Sequence, residues 1–153
     1  MERTFVMVKP DGVDKRLIGE VISRIERKGL KIAALKMMKL SEEFAGQHYA
    51  EHVGKPFYPA LIKFTVSGPI VAMVIEGPDV IHVMREMAGK TNPAEAAPGT
   101  IRKELAMYVT YNIVHCSDCK ESADREMAHF FKPEEIIDYT TALESWNTLR
   151  QWN

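Results

Sequence analysis

The sequence predicts an α+β fold, a four-stranded antiparallel sheet with helices packed on it. Three observations carry that expectation. Four short runs are rich in β-favouring residues, the segments between them repeat apolar residues at helical spacing, and Gly or Pro marks the joins. In chain order the segments read β-α-β-α-α-β-α-loop-β-α. Setting aside the inserted helices leaves βαββαβ, the ferredoxin-like split unit.

Residues 4–8 (TFVMV) form the first strand, ended by the turn signal Lys9-Pro10-Asp11-Gly12. Ile18, Val21, Ile22 and Ile25 then fall on one helical face, and Gly29 after Arg27-Lys28 supplies the stop. Residues 30–39 read as a second strand. Ser41 caps a helix running to about His52, with Glu42 and Glu43 suiting the helix dipole, and a short helix follows Pro56. Residues 69–76 are nearly all apolar, as in a central strand buried on both faces. Asp79 is placed to cap the next helix, which turns Val80, Val83, Met84 and Met87 to the core. Residues 89–99 hold two prolines and no periodicity, a loop. Residues 108–114 read as the last strand and 122–131 as a helix with Ala123, Met127 and Phe130 on one face, ended by Lys132-Pro133. The whole of 1–153 reads as a single domain. Its tail, about 140–153, carries Trp146 and Trp152 and is expected to pack, with a subunit interface as one place for it.

Bulk composition narrows the partners. Twenty basic and 21 acidic residues are interleaved for a net charge of -1, without the basic face that gripping long nucleic acid requires. A small charged ligand held by a few local cations fits better. No apolar run approaches the roughly 20 residues that span a bilayer, and no signal-like segment opens the chain, so a cytoplasmic location without membrane contact is expected.

The stretch Asn112-Ile113-Val114-His115-Cys116-Ser117-Asp118 is the most informative. It places a histidine where a strand gives way to polar residues. A neutral imidazole is a nucleophile near pH 7 without a separate base, but it needs a partner to fix the ring and stabilise the cation. Glu126, in the next helix, can reach back. Lys9 closes the first strand, Arg85 and Thr91 flank a short break, and Arg102 follows the turn at 97–100. Phosphoryl transfer needs this kind of charge neutralisation more than covalent machinery.

With these residues in view the chain resembles the nucleoside diphosphate kinase family over about residues 3 to 140. The resemblance rests on VKPDGV (8–13), LIGE (17–20), His48-Tyr49, KPFY (55–58), MAG (87–89), TNP (91–93), AAPGTIR (96–102), N-x-x-H-x-S-D (112–118), ESA-x-RE (121–126) and FKPEE (131–135). It implies ping-pong transfer of the terminal phosphate of ATP to a nucleoside diphosphate through a phosphohistidine at His115. Glu126 would orient the ring, with Ser117 bonded to its carboxylate. Lys9, Tyr49 and Asn112 would line the site near the transferred phosphate and the ribose 3′-hydroxyl. Arg85, Thr91 and Arg102 would hold the phosphates, and Phe57 would stack on the base with Leu61 and Val109 completing an apolar slot. Mg2+ would arrive with the nucleotide, Asp118 touching its waters. The resemblance also implies a homo-oligomer, a hexamer before a tetramer.

Four positions depart from the family pattern: Cys116 and Arg16 where glycine is usual, Lys103-Glu104-Leu105 for G-D-F, and Lys90 for a small residue. Three motifs are decoys. Cys116-x-x-Cys119 lacks the second ligand pair of a structural zinc site. Gly89-Lys90-Thr91 lacks the earlier glycine and the preceding strand of a P-loop. His48 to His52 fits H-x-x-E-H, but the expected reading is a helix surface.

Overall fold

Alternation along β1 (Glu2–Val8) separates the two layers of the protein. Val6 and Val8 enter one core, Phe5 and Met7 the other, and all four are fully buried. The computed structural model describes residues 1–148, with only the backbone of 147 and 148. The other strands are β2 (Lys31–Met38), β3 (Ile70–Gly77) and β4 (Val114–Cys116). The sheet runs β2-β3-β1-β4 with every pair antiparallel, and β1 registers from Glu2 opposite Gly77 to Val8 opposite Val71. Thus β3 lies between β1 and β2, and β1 between β3 and β4, the expected ferredoxin-like interleaving.

Helices α2 (Ile18–Arg27) and α5 (Val80–Ala88) make those two crossovers and cover one face with Val21, Ile25, Val80 and Met84. The other face is covered by α7 (Lys120–Phe130), through Ala123, Met127 and Phe130. Each large side chain buried this way contributes about 1.5–3 kcal/mol, so a one-residue slip of β1 would unseat both layers. Gly29, at φ 84, ends α2, and the amides of Gly29 and Leu30 donate to the carbonyls of Glu26 and Ile25.

Several expectations hold in kind but shift in detail. The turn after β1 winds into a short helix, α1 (Pro10–Asp14). Ser41 caps α3 (Glu42–His48) by accepting from the Phe44 amide, but the helix ends at His48 and a 3-10 turn, Ala50–His52, follows. The helix after Pro56 is α4 (Tyr58–Thr65). Asp79 stands at the N-cap of α5 without a side-chain capping bond, and the Glu2 carboxylate accepts from the Ile81 amide instead. Past the irregular 89–99 loop lies an unanticipated helix, α6 (Ile101–Leu105), capped by Thr100 Oγ1 accepting from the Lys103 amide.

The strand expected over 108–114 forms only from Val114. Ile113 sits at φ 73, a left-handed conformation that breaks the ladder, and Met107, Tyr108, Val109 and Tyr111 are exposed ahead of it. The tail carries α8 (Ala142–Thr148) with Trp146 exposed. The expectation for Trp152 lies outside the described residues. Among those described, no helix is long and apolar enough to cross a membrane.

Candidate active site

His115 is the middle residue of β4, opposite Met7 of β1. Its neighbours Val114 and Cys116 enter the core beneath α2 and α5, so the imidazole emerges on the α7 side. There α7 returns Glu126, whose Oε2 lies 2.9 Å from His115 Nε2 and accepts from the Ser117 hydroxyl at 2.6 Å. Burial alone would raise the Glu126 carboxyl, but the hydrogen bonds and charge of His115 and the Ser117 bond hold it below the ordinary value. An ionised carboxylate only accepts hydrogen bonds. Nε2 therefore carries the hydrogen, and Nδ1 keeps the nucleophilic lone pair.

Cations gather on the same cavity. Lys9 Nζ donates to Asn112 Oδ1 at 2.7 Å and to the Thr110 carbonyl at 2.9 Å. Burial lowers its pKa to about 8, with Arg102 adding to the fall and Asp11 opposing it. Asn112 in turn donates to the Thr91 carbonyl. The buried Arg102 donates to the carbonyls of Asn112, Gly89 and Val114 at 3.3, 2.8 and 2.7 Å. Three of its five N–H groups are thus fixed by backbone, which leaves two for a ligand. A side chain at Gly89 would meet Thr100 Oγ1 at 2.6 Å, so glycine is what lets this carbonyl approach α6.

The cavity measures about 610 Å³, within the range of small-molecule sites. Lys9, Arg85, Thr91, Arg102, Asn112, His115, Asp118 and Glu126 line it, and Tyr49, Phe57, Leu61 and Val109 form its apolar part. Every site residue expected from the sequence is gathered there except Ser117, which is fully buried behind Glu126. Phe57 and Val109 are about half exposed. Tyr49 is buried, and burial raises its phenol to about 12.

Two residues beside the site were given no place in it by the sequence. Asp11 Oδ2 accepts from the Ile113 amide while Ile113 accepts from the Lys9 amide, which together hold the left-handed residue beside Asn112. His48, expected on a helix surface, is only 8% exposed. Its ring stands nearly perpendicular to that of His115 at 5.0 Å, and burial, then the neighbouring His115, pushes its pKa down to about 3. The helix points this face inward against Phe5 and Phe130, which the H-x-x-E-H spacing does not reveal. His52 turns elsewhere, its Nδ1 3.1 Å from Lys55 Nζ.

The cysteines diverge. Buried Cys116 points its thiol at the Met84 carbonyl, and burial raises it to about 11, whereas exposed Cys119 donates to Ser122. Neither joins a group of three potential metal ligands among the described residues.

A family model described as nucleoside diphosphate kinase matches residues 2–136. The nucleoside diphosphate kinase of Desulforamulus reducens is 58% identical over 146 residues, covering 95% of this chain and 98% of that protein. That of Archaeoglobus fulgidus is 57% identical over 146 residues, covering 95% and 97%. The solved structure of a halophilic nucleoside diphosphate kinase from Halobacterium salinarum in complex with CDP matches with a TM-score of 0.92 at 46% identity, over 95% of this chain and 97% of that one.

Proposed function

The chain belongs to the nucleoside diphosphate kinase family, and we propose that His115 is the residue through which it passes phosphate between nucleotides. The observation that carries this is the fixed tautomer: Glu126, itself held by the Ser117 hydroxyl, engages Nε2, so the lone pair sits on Nδ1 of a residue lining the cationic cavity. A nucleoside triphosphate lays its phosphates against Arg85, Thr91 and Arg102 and its base against Phe57, Leu61 and Val109. Nδ1 attacks the terminal phosphorus. The N–P bond forms as the bridging P–O bond breaks, and the electron pair leaves with the diphosphate.

The ring becomes cationic in this step, so its bond to the Glu126 carboxylate strengthens where charge develops. Arg102 meets the phosphate oxygens without reorganising, because three backbone carbonyls already hold it. Lys9, Tyr49 and Asn112 serve the transferred phosphate and the ribose 3′-hydroxyl. A second diphosphate then collects the group by the reverse path. Stacking rather than base-edge hydrogen bonding makes the slot tolerant of different bases. The Halobacterium relative in complex with CDP supports a diphosphate as acceptor.

A magnesium ion entering with the nucleotide would neutralise phosphate oxygens. Asp118, exposed on the cavity wall, fits an ion held through its waters. A hydrogen bond from Ser122 leads the causes that keep it ionised below the ordinary carboxylate range. The proposal extends to one domain over 1–153, a cytoplasmic location and a homo-oligomer, hexamer before tetramer. The exposed apolar side chains of Leu35, Met37, Met107, Tyr108 and Trp146 support burial between subunits.

The test is incubation with γ-labelled ATP and magnesium. Acid-labile, alkali-stable label should appear on His115 and leave on addition of GDP. His115→Ala should lose label and at least about 10⁴-fold in transfer rate while still binding nucleotide. Near-normal transfer by that variant would refute the covalent route.

A further inference from the structure

We propose that His48, His115 and Glu126 form an inhibitory site for a borderline transition-metal ion, with zinc as the best-fitting case. One nitrogen from each imidazole and one carboxylate oxygen lie within 4.8 Å of one another. Two imidazoles and a carboxylate are a donor set that holds zinc with a fourth position left for water. A tetrahedral zinc keeps its ligand atoms roughly 3.4 Å apart, so the widest pair, within 4.8 Å, would close by no more than about 1.4 Å. His115 Nε2 and Glu126 Oε2, now 2.9 Å apart, would open slightly if both bound. Magnesium, which takes oxygen ligands and keeps its water, does not suit a site two-thirds imidazole.

His48 supplies the independent observation. It is more than nine-tenths buried, yet neither ring nitrogen has a hydrogen-bond partner among the described residues. A buried polar group left unpaired costs free energy, and such groups call for a specific explanation. The rings of Phe5, Tyr49 and Phe130 pack around it, so the imidazole stays beside His115 without polar ties of its own. A metal ion gives one of those nitrogens a partner. Entry is available because His115 and Glu126 both line the open cavity.

The inhibitory consequence rests on His115 being the nucleophile; the binding itself does not. Coordination through Nδ1 would occupy the attacking lone pair. Coordination through Nε2 would displace the carboxylate that orients the ring and supports its charge. Either way the ion silences transfer by acting on the protein, separately from any effect on the nucleotide's own metal.

Equilibrium dialysis of zinc chloride against the full chain, without nucleotide, reads the binding directly, and cobalt substitution reports geometry through its visible absorption. One zinc per chain is expected, with cobalt bands of a four-coordinate site. His48→Asn should weaken zinc at least tenfold and raise by a similar factor the zinc needed to halve His115 labelling, each protein scaled to its own metal-free rate. Glu126→Gln, which preserves side-chain shape, should weaken zinc binding as well. Equal zinc affinity in the original chain and His48→Asn would overturn the proposal, as would zinc lost only in a Cys116→Ser/Cys119→Ser double variant. Stoichiometric, His48-dependent zinc that left labelling untouched would sustain the metal site, refute its inhibitory role and count against His115 as the nucleophile.

Discussion

Replacing Glu126 with glutamine keeps the side chain's shape and removes its charge. The amide oxygen can still accept from His115 Nε2, so the tautomer and the position of Nδ1 survive. The support given to the ring as it becomes cationic does not. A hydrogen bond to an ionised partner contributes about 1.5–3 kcal/mol against about 0.5–1.5 for a neutral one, which sets a lower bound near 1 kcal/mol for the loss. Opposite charges about 4 Å apart attract by about 4 kcal/mol at the effective dielectric of a partly exposed site, which sets the upper bound. Phosphoenzyme formation should therefore slow by about fivefold to a thousandfold. Rapid-quench mixing with labelled ATP measures that step alone, and nucleotide affinity is measured separately. A rate within threefold of the original chain would show that the carboxylate charge contributes little. A matching loss of nucleotide affinity would show that Glu126 acts by shaping the cavity instead.

Arg102→Lys should cut transfer at least tenfold and lower stability by about 1–3 kcal/mol, because one ammonium cannot serve three divergent carbonyls and a phosphate together. Steady-state kinetics and thermal unfolding check the two halves. Lys9 gives a pH signature: burial, despite Asp11, lowers its folded pKa from 10.5 to about 8. Between those values the unfolded chain holds more protons, so stability gains from rising pH across that window, and Lys9→Met should lose that gain in urea unfolding at pH 7 and pH 10. Phosphate affinity should fall as the ammonium discharges above about 8. Arg16, at φ 60, occupies the left-handed region where glycine is unstrained, so Arg16→Gly should be neutral or stabilise by up to about 1 kcal/mol. A loss beyond that, by denaturant midpoint, would mean the Arg16 side chain makes contacts that matter.

The layers were legible because they are periodic. Val21 and Ile25, or Val80 and Met84, sit one turn apart and meet a sheet whose alternation fixes both faces. The candidate site was legible because its residue types are constrained by phosphate chemistry and by the resemblance of ordered blocks. What escaped has no local signature. The capping of α5 comes from Glu2, 79 residues earlier than the amide it serves, while Asp79 beside that amide goes unused. The inward turn of His48 depends on where α3 lands on the sheet, and five residues of spacing cannot encode that.

The misread strand over 108–114 has a different cause. Its composition does favour β-structure, and a β-branched residue such as Ile113 is among the least suited to a positive φ. Strain of that kind costs about 1–3 kcal/mol and persists only where the surroundings over-determine it. Here the Asp11 carboxylate takes the Ile113 amide, the Lys9 amide takes its carbonyl, and the side chain is fully buried. The reversal at Ile113 frees residues 107–111 from the sheet, so that Val109 and Thr110 line the cavity. It also separates Asn112, which faces Lys9 and Thr91, from His115, which faces Glu126. A continuous strand would satisfy local propensity and draw these groups into a flat ladder. Local preference therefore fails where the site needs the chain to depart from it.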